Sequence, residues 1–334
     1  MARPWVDRPK LDCRLDQSGL GLTESDVAAL VPYTREMLDD LRSQVGGVDA
    51  ELAEMIDAGT AGRFRAEAEA WGRLVGRPWQ EILLASCAYD AAIRVFMCSG
   101  VTVETEHGPV LARNMDWWPE RPLALGSVML RYSRGDEFVF ENAGWVGAIG
   151  AVSGMSDRGF ALAMNAVMSN DPVQMSGYPV MLFLRSVLED AGSYDEAFEM
   201  ICKTDLASPC LVLLVGTENH QRAVIERTPK RHAVRRGTPG QPLVVTNDYR
   251  VIDEEASGVV ADGHGLYRSA CGRYEGLANQ FESRDIEPTS DDAMLYALSH
   301  PSVRMEITAQ QMIFRPGQAR SKLTAPDWFF ADAN

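Results

Sequence analysis

The order of periodicities along the chain predicts an α+β fold in which helices are layered on antiparallel sheet. Three observations carry this. A helical pattern from Thr23 to about Arg94 gives way abruptly to strand-like alternation at Val95. Runs of strands then lead to a pair of helices and back to strands, which is not a βαβ alternation. No internal repeat or low-complexity linker divides the 334 residues, so one compact domain with a helical N-terminal segment is expected.

Residues 1–22 show no clear period and are expected to form an irregular arm. Phe64, Trp71, Leu74 and Val75 fall near a 3.6-residue repeat until Gly76-Arg77-Pro78 breaks it. Pro78 suits the first turn of a following helix that turns Ile82, Leu83 and Ala85 inward. Cys98–Glu104 reads as a strand, Glu106–Pro109 as a turn and Val110–Asp116 as the returning strand. Further strands are expected at Val128–Tyr132, Glu137–Glu141 and Phe160–Asn165. Helices follow over Tyr178–Glu189 and from Ser193, where Glu196 three residues on completes a capping box. Strands at Cys210–Val215, Ala223–Glu226 and Leu243–Thr246, helices near Leu266–Leu277 and Asp291–Leu298, and a strand at Gln311–Phe314 finish the chain.

Composition removes several function classes. The formal charge is −15, with 47 acidic against 32 basic residues, and such a surface repels phosphate backbones and anionic membranes. The basic run Lys230-Arg231-His232 with Arg235-Arg236 reads as a solvated strand and turn edge. No stretch approaches the roughly 18 apolar residues of a membrane-spanning helix. Charges and prolines occupy the start, where a secretory signal would carry an apolar run, so a cytoplasmic location is expected. Six cysteines lie far apart without a C-x-x-C pair, and five scattered histidines add no metal spacing. The cysteines read as free thiols, with Cys87, Cys202, Cys210 and Cys271 in the core.

Familiar catalytic signatures fail one by one. Gly154-Met155-Ser156-Asp157-Arg158 has arginine where a nucleophile elbow needs glycine. The Gly144, Gly147, Gly150 spacing is neither a dinucleotide fingerprint nor a P-loop, and H-E-x-x-H is absent. What remains is the hairpin from Met97 to Trp118. Cys98 opens its first strand, and Arg113-Asn114-Met115-Asp116 ends the second. Strict alternation puts Arg113 and Asp116 on opposite faces, so both can reach Cys98 only if the strand bulges or ends between them. A free thiol titrates near ~8.5, and a neighbouring arginine favours its thiolate. Cleavage before Cys98 would free an α-amine of pKa about 7.7–8.0, a base on the nucleophile's own residue. Asp116 could hold that amine. An asparagine could donate to the oxyanion, a contact worth about 10²–10³ in rate.

Cys98-Ser99 followed by Ala112-Arg113-Asn114-Met115-Asp116 resembles the acid ceramidase and N-acylethanolamine acid amidase group of N-terminal-nucleophile (Ntn) hydrolases. Gly76–Leu84 with Ala88-Tyr89-Asp90 is similar to the end of that group's α-chain. Val224–Arg227 and Val245–Tyr249 resemble strands shared with penicillin acyltransferase and bile-salt hydrolase relatives. The likeness runs over residues 60–334. It implies a four-layer αββα sandwich, a cut between Met97 and Cys98 that separates a 1–97 segment from a 98–334 catalytic core, and hydrolysis of a linear N-acyl amide. By matching position, Cys98 is the nucleophile, Arg113 and Asp116 orient it, Asn247 is the oxyanion donor and Arg268 matches a later arginine. Asn165 is similar to a substrate-contacting position. Trp117, Trp118 and Trp145, being next to these motifs, are candidates for an apolar acyl pocket. No cofactor or metal is implied. The implied partners are a small acylated amide, lipid-like ones included, and the chain's own N-terminal segment after cleavage. A homo-oligomer is left open. An acyltransferase passing the same thioester to an amine, and an uncut binding protein with this fold, stand as alternatives.

Overall fold

Two short strands, β1 (Trp5–Asp7) and β2 (Lys10–Arg14), lie where an irregular arm is expected over 1–22. Neither is long enough to display a period, and each takes its ladder from distant partners. In this computed structural model the described residues are 3–45, 47–91, 96–253, 265–282 and 290–331, with the side chains at 45, 96, 265–268 and 282 outside the description. Helices α1 (Glu24–Val27), α2 (Val31–Val45), α3 (Ala50–Gly59), α4 (Arg65–Val75), α5 (Trp79–Ala85) and α6 (Ala88–Ala91) follow. Phe64, Trp71 and Val75 are buried as their repeat requires. Gly76 ends α4 at φ 72°, a left-handed cap that suits glycine, and Pro78 is the N-cap of α5.

The hairpin β3 (Phe96–Val103) and β4 (Val110–Trp117) comes next. Its strand begins two residues earlier than the sequence suggests, so Cys98 lies within the ladder. Gly108, at φ 91°, makes the turn; a Cβ there would stand 2.1 Å from the Thr217 carbonyl oxygen. Helix α7 (Glu120–Gly126) leads to β5 (Ser127–Arg134), β6 (Glu137–Trp145), β7 (Ser153–Ser156) and β8 (Phe160–Asn165). Then come α8 (Val180–Asp190) and α9 (Tyr194–Lys203), the latter capped by Ser193, which accepts the Glu196 N–H. Strands β9 (Cys210–Val215), β10 (Arg222–Arg227), β11 (His232–Arg236) and β12 (Leu243–Val245) precede α10 (Gly265–Glu282) and α11 (Asp291–Leu298). The chain closes with β13 (Thr308–Arg315) and β14 (Arg320–Pro326).

Among the described residues these strands make two sheets, ordered β1-β14-β13-β4-β3-β12 and β11-β10-β9-β8-β7-β6-β5-β2. Pairing is antiparallel except between β2 and β5. The sheets pack face to face. Gly100 on β3 lies so close to the second sheet that a Cβ would sit 3.3 Å from Leu213 of β9. Leu277, Met294, Leu295 and Leu298 of α10 and α11 pack on Val101, Val110 and Ala112 of the first sheet. Helix α8 covers the second sheet, with Leu188 against Gly154 of β7. The result is the expected αββα sandwich, with α2 packed on α7 at one end.

Asp90 ties the end of the helical segment to α8, its carboxylate accepting the Val180 N–H at 3.2 Å. Burial pushes this carboxyl up to about 6. A folded-state value above the unfolded one means that its contribution is complete below the unfolded carboxyl range and is lost as pH rises through about 6. Asp90→Asn keeps an acceptor and removes the charge. It is expected to gain about 1–2 kcal/mol over wild type at pH 7 and nothing near pH 4. Unfolding midpoints at the two pH values check this, and an equal shift at both would contradict it.

Candidate active site

Strands β3 and β4 pair without interruption from Phe96 opposite Trp117 to Val103 opposite Val110. Cys98 faces Met115, and Gly100 faces Arg113. Arg113 therefore projects on the same face as the Cys98 thiol, while Asp116 projects on the other. The β3–β4 ladder carries no bulge, so the two residues stand on opposite faces as strict alternation requires: Arg113 reaches the thiol, whereas Asp116 bears on it only through its charge.

On the inner face, between the sheets, Arg113 Nη2 donates to Cys98 Sγ. Its Nη1 donates to Ser153 Oγ and to the Val152 carbonyl, which fixes the guanidinium across the gap. Burial pushes the Cys98 thiol up, Arg113 pulls it down, and Asp116 raises it. Burial is the largest influence and the net direction is up, which favours the protonated thiol beside the guanidinium.

The backbone of Cys98 is gripped by a different pair of side chains. Asn247 Oδ1 accepts the Cys98 N–H at 3.1 Å, and Arg273 Nη1 donates to the Cys98 carbonyl at 2.6 Å. Arg273 also donates to Ser99 Oγ at 2.8 Å and to Asn247 Oδ1 at 2.9 Å. Both neighbours of that oxygen are donors, which fixes the orientation of the amide. Its Nδ2 donates to the Ala166 carbonyl at 2.8 Å, and its second N–H has no hydrogen-bond partner among the described residues. Asp116 accepts from Thr308 Oγ1, and its other oxygen, 4.0 Å from Arg273, is buried without a hydrogen-bond donor. Burial raises this carboxyl against the pull of Arg273 and Thr308.

Arg268 falls among the side chains outside the description. Among the described residues a second arginine, Arg273, joins Arg113 at the site, and sequence reasoning missed it. A signal existed: Ala270, Arg273 and Leu277 form one buried stripe of α10, and an arginine in such a stripe needs a reason. Thr308 was missed too, because a threonine in a strand carries no such mark. Asn165 is buried, and its Nδ2 donates to the Val245 and Thr246 carbonyls at 3.2 and 2.9 Å, so it braces the chain just before Asn247. Trp117 and Trp145 stand edge to face at 5.3 Å and, with the half-exposed Trp118, line one groove against Met37, Leu38 and Leu41 of α2. Cys271 is exposed on α10, contrary to its expected place in the core, whereas Cys87, Cys202 and Cys210 are buried. Among the described residues no three His, Cys, Asp or Glu side chains gather as a metal site.

A family model described as acyl-coenzyme A:6-aminopenicillanic acid acyl-transferase matches residues 103–301. The chain belongs to that family. The acid ceramidase of Balaenoptera acutorostrata scammoni is 26% identical over 225 residues, covering 59% of this chain and 56% of that protein. The N-acylethanolamine-hydrolyzing acid amidase of Caenorhabditis elegans is 25% identical over 167 residues, covering 46% of this chain and 47% of that protein. The chain thus spans about half the length of the curated relatives it matches. The solved structure of a C. elegans ortholog of that amidase superposes with a TM-score of 0.54 at 19% identity, over 66% of this chain and 93% of that one. The acyl-transferase family member described here therefore has the Ntn-hydrolase fold. No helix among its described residues is long and apolar enough to cross a membrane.

The orientation of Asn247 makes a direct prediction. Asn247→Ala leaves two buried donors, the Cys98 N–H and Arg273 Nη2, without their acceptor. A loss of about 2 kcal/mol in stability is expected from those orphans. Chemical denaturation of an unprocessed Cys98→Ala background with and without the change measures it, and equal stability would contradict the assignment.

Proposed function

We propose that this chain is a self-processing cysteine amidohydrolase that cleaves a linear N-acyl amide through a thioester on Cys98. The observation that carries this reading is the double grip on one residue. The Cys98 thiol is held by Arg113, while its backbone N–H, the atom that cleavage turns into an amine, is held by Asn247. Scission of the Met97–Cys98 bond would leave residues 1–97 and 98 onward as two pieces. Strands β1 and β2, one in each sheet, and the Arg63–Glu189 and Arg185–Glu67 ion pairs support their staying together.

The new amine would find Asn247 Oδ1 already in place and the donorless oxygen of Asp116 on the strand position opposite Met97. As base it takes the thiol proton, and the thiolate forms the bond to the amide carbonyl carbon. The free N–H of Asn247 Nδ2 is suited to the developing oxyanion. Collapse breaks the C–N bond, and the amine returns its proton to the leaving nitrogen. Water then attacks the thioester carbon as the same amine takes its proton; collapse breaks the C–S bond, the amine returns the proton to sulfur, and the acid departs.

The tryptophan groove supports an apolar acyl group, lipid-like chains included, and its two walls come from opposite sides of the proposed cut. Trp118→Ala is expected to lower kcat/KM for long acyl chains by about tenfold or more, roughly what losing half an indole's contact is worth, and to spare short ones. An unchanged chain-length profile would remove the groove from the account.

The family model's description favours a second reading, acyl transfer to an amine. Incubating processed protein with N-acyl amides of graded chain length, with and without a competing amine, decides between them. Free acid as the main product at millimolar amine supports hydrolysis, and new amide in its place supports transfer. Absence of both products across the series would overturn the enzymatic reading.

A further inference from the structure

The loop that carries Asn247 is also fastened at a point beyond the contacts of Asn247 itself. Residues 246–253 carry no ladder hydrogen bonds of a strand or helix, yet Asn247 within them must hold the Cys98 N–H at 3.1 Å. The anchor lies on the neighbouring sheet. Glu226 of β10 is fully buried, and its carboxylate accepts the backbone N–H groups of three successive residues, Arg250, Val251 and Ile252, each at 3.0 Å. Arg235 of β11 completes the set, its Nε at 3.0 Å. A nest of consecutive amides closed on an ionised oxygen is a strong and directional fixture.

From this fixture two arms reach the site. One runs three residues back to Asn247. The other is Arg250, whose guanidinium lies 3.7 Å above the ring of Tyr274, the residue after Arg273. The segment gripped by Glu226 is thereby joined along the chain to Asn247 and, through the Tyr274 ring, to the helical neighbour of Arg273. We propose that Glu226 is a positioning residue for the nucleophile, acting through the 250–252 amides to set Asn247 and, by way of Arg250, Arg273. The effect on catalysis rests on the amidohydrolase reading above, whereas the mechanical link does not.

Glu226→Gln keeps length and volume but turns an amide NH2 toward backbone donors and removes the charge. The first measurement is amide hydrogen exchange in the uncut Cys98→Ala chain, with and without this change. Exchange at residues 250–252 and at residue 98 is expected to quicken by roughly tenfold or more, the worth of a charge-assisted hydrogen bond, while the β5–β6 ladder stays unchanged. A uniform rise everywhere would mean a purely structural role and overturn the proposal. So would quickening at 250–252 with residue 98 untouched. If the glutamine variant does not fold, Glu226→Asp keeps the charge without the reach and is read in the same way.

In the Cys98 chain, Glu226→Gln should lower kcat by about tenfold or more with KM within about twofold, since the substrate does not touch it. A loss confined to KM would overturn the positioning role. Coupled exchange at residue 98 in a protein that turns nothing over would leave the positioning intact and sink the enzymatic reading instead.

Discussion

A Cys98→Ala chain is expected to stay in one piece and to turn over no N-acyl amide, with a rate loss on the order of 10⁶ where the wild type is active. The size follows from what the residue supplies. Its sulfur is the atom that would form the thioester, and its nitrogen becomes the base only if the sulfur first attacks the Met97 carbonyl. Alanine removes both functions in one change. Fold and stability should hardly alter, because Cys98 is a small buried side chain whose hydrogen bond comes from an arginine that keeps its anchors on Val152 and Ser153. Intact mass, a product assay and an unfolding curve on the same preparation test this. Turnover by the alanine chain above about one part in 10³ of wild type would move the chemistry elsewhere.

Replacing Arg113 with methionine is expected to cost less than losing Cys98 but still about 10²–10³ in kcat, while leaving the substrate groove untouched. Burial raises the Cys98 thiol and Arg113 is the first influence opposing it. Without the guanidinium less thiolate is present at neutral pH, so the ascending limb of the rate profile moves to higher pH. Arg113→Lys should recover part of the rate, since a point charge lacks the fork that spans Sγ and Ser153 together. The rate of Cys98 alkylation against pH reads the shift directly. Identical profiles in wild type and the methionine variant would mean that the arginine is only a structural brace.

Much of this was legible in the sequence because the chemistry sits on a hairpin, where local periodicity and long-range position coincide. The change of texture at Val95, the Gly108 turn and the pairing of Cys98 with the Arg113–Asp116 run all follow from short-range pattern. The two early strands did not, since β1 and β2 borrow their ladders from β14 and β5. Arg273 was hidden for a related reason. Its function depends on which face of α10 meets the first sheet, which the sequence alone does not show. Asn247 was found by likeness, but the division of labour between its two amide atoms depends on the donors around it. Glu226 lies further out still. A glutamate in a strand reads as an exposed polar position, and only the folded loop brings three amides to it.

Intact mass and N-terminal sequencing of the purified chain, beside Cys98→Ala, test the central claim most directly. The account predicts two wild-type fragments, one ending at Met97 and one starting at Cys98, and a single full-length species in the variant. A wild-type chain that stays whole at every pH from mildly acidic to neutral, or one cut equally in the variant, would contradict it.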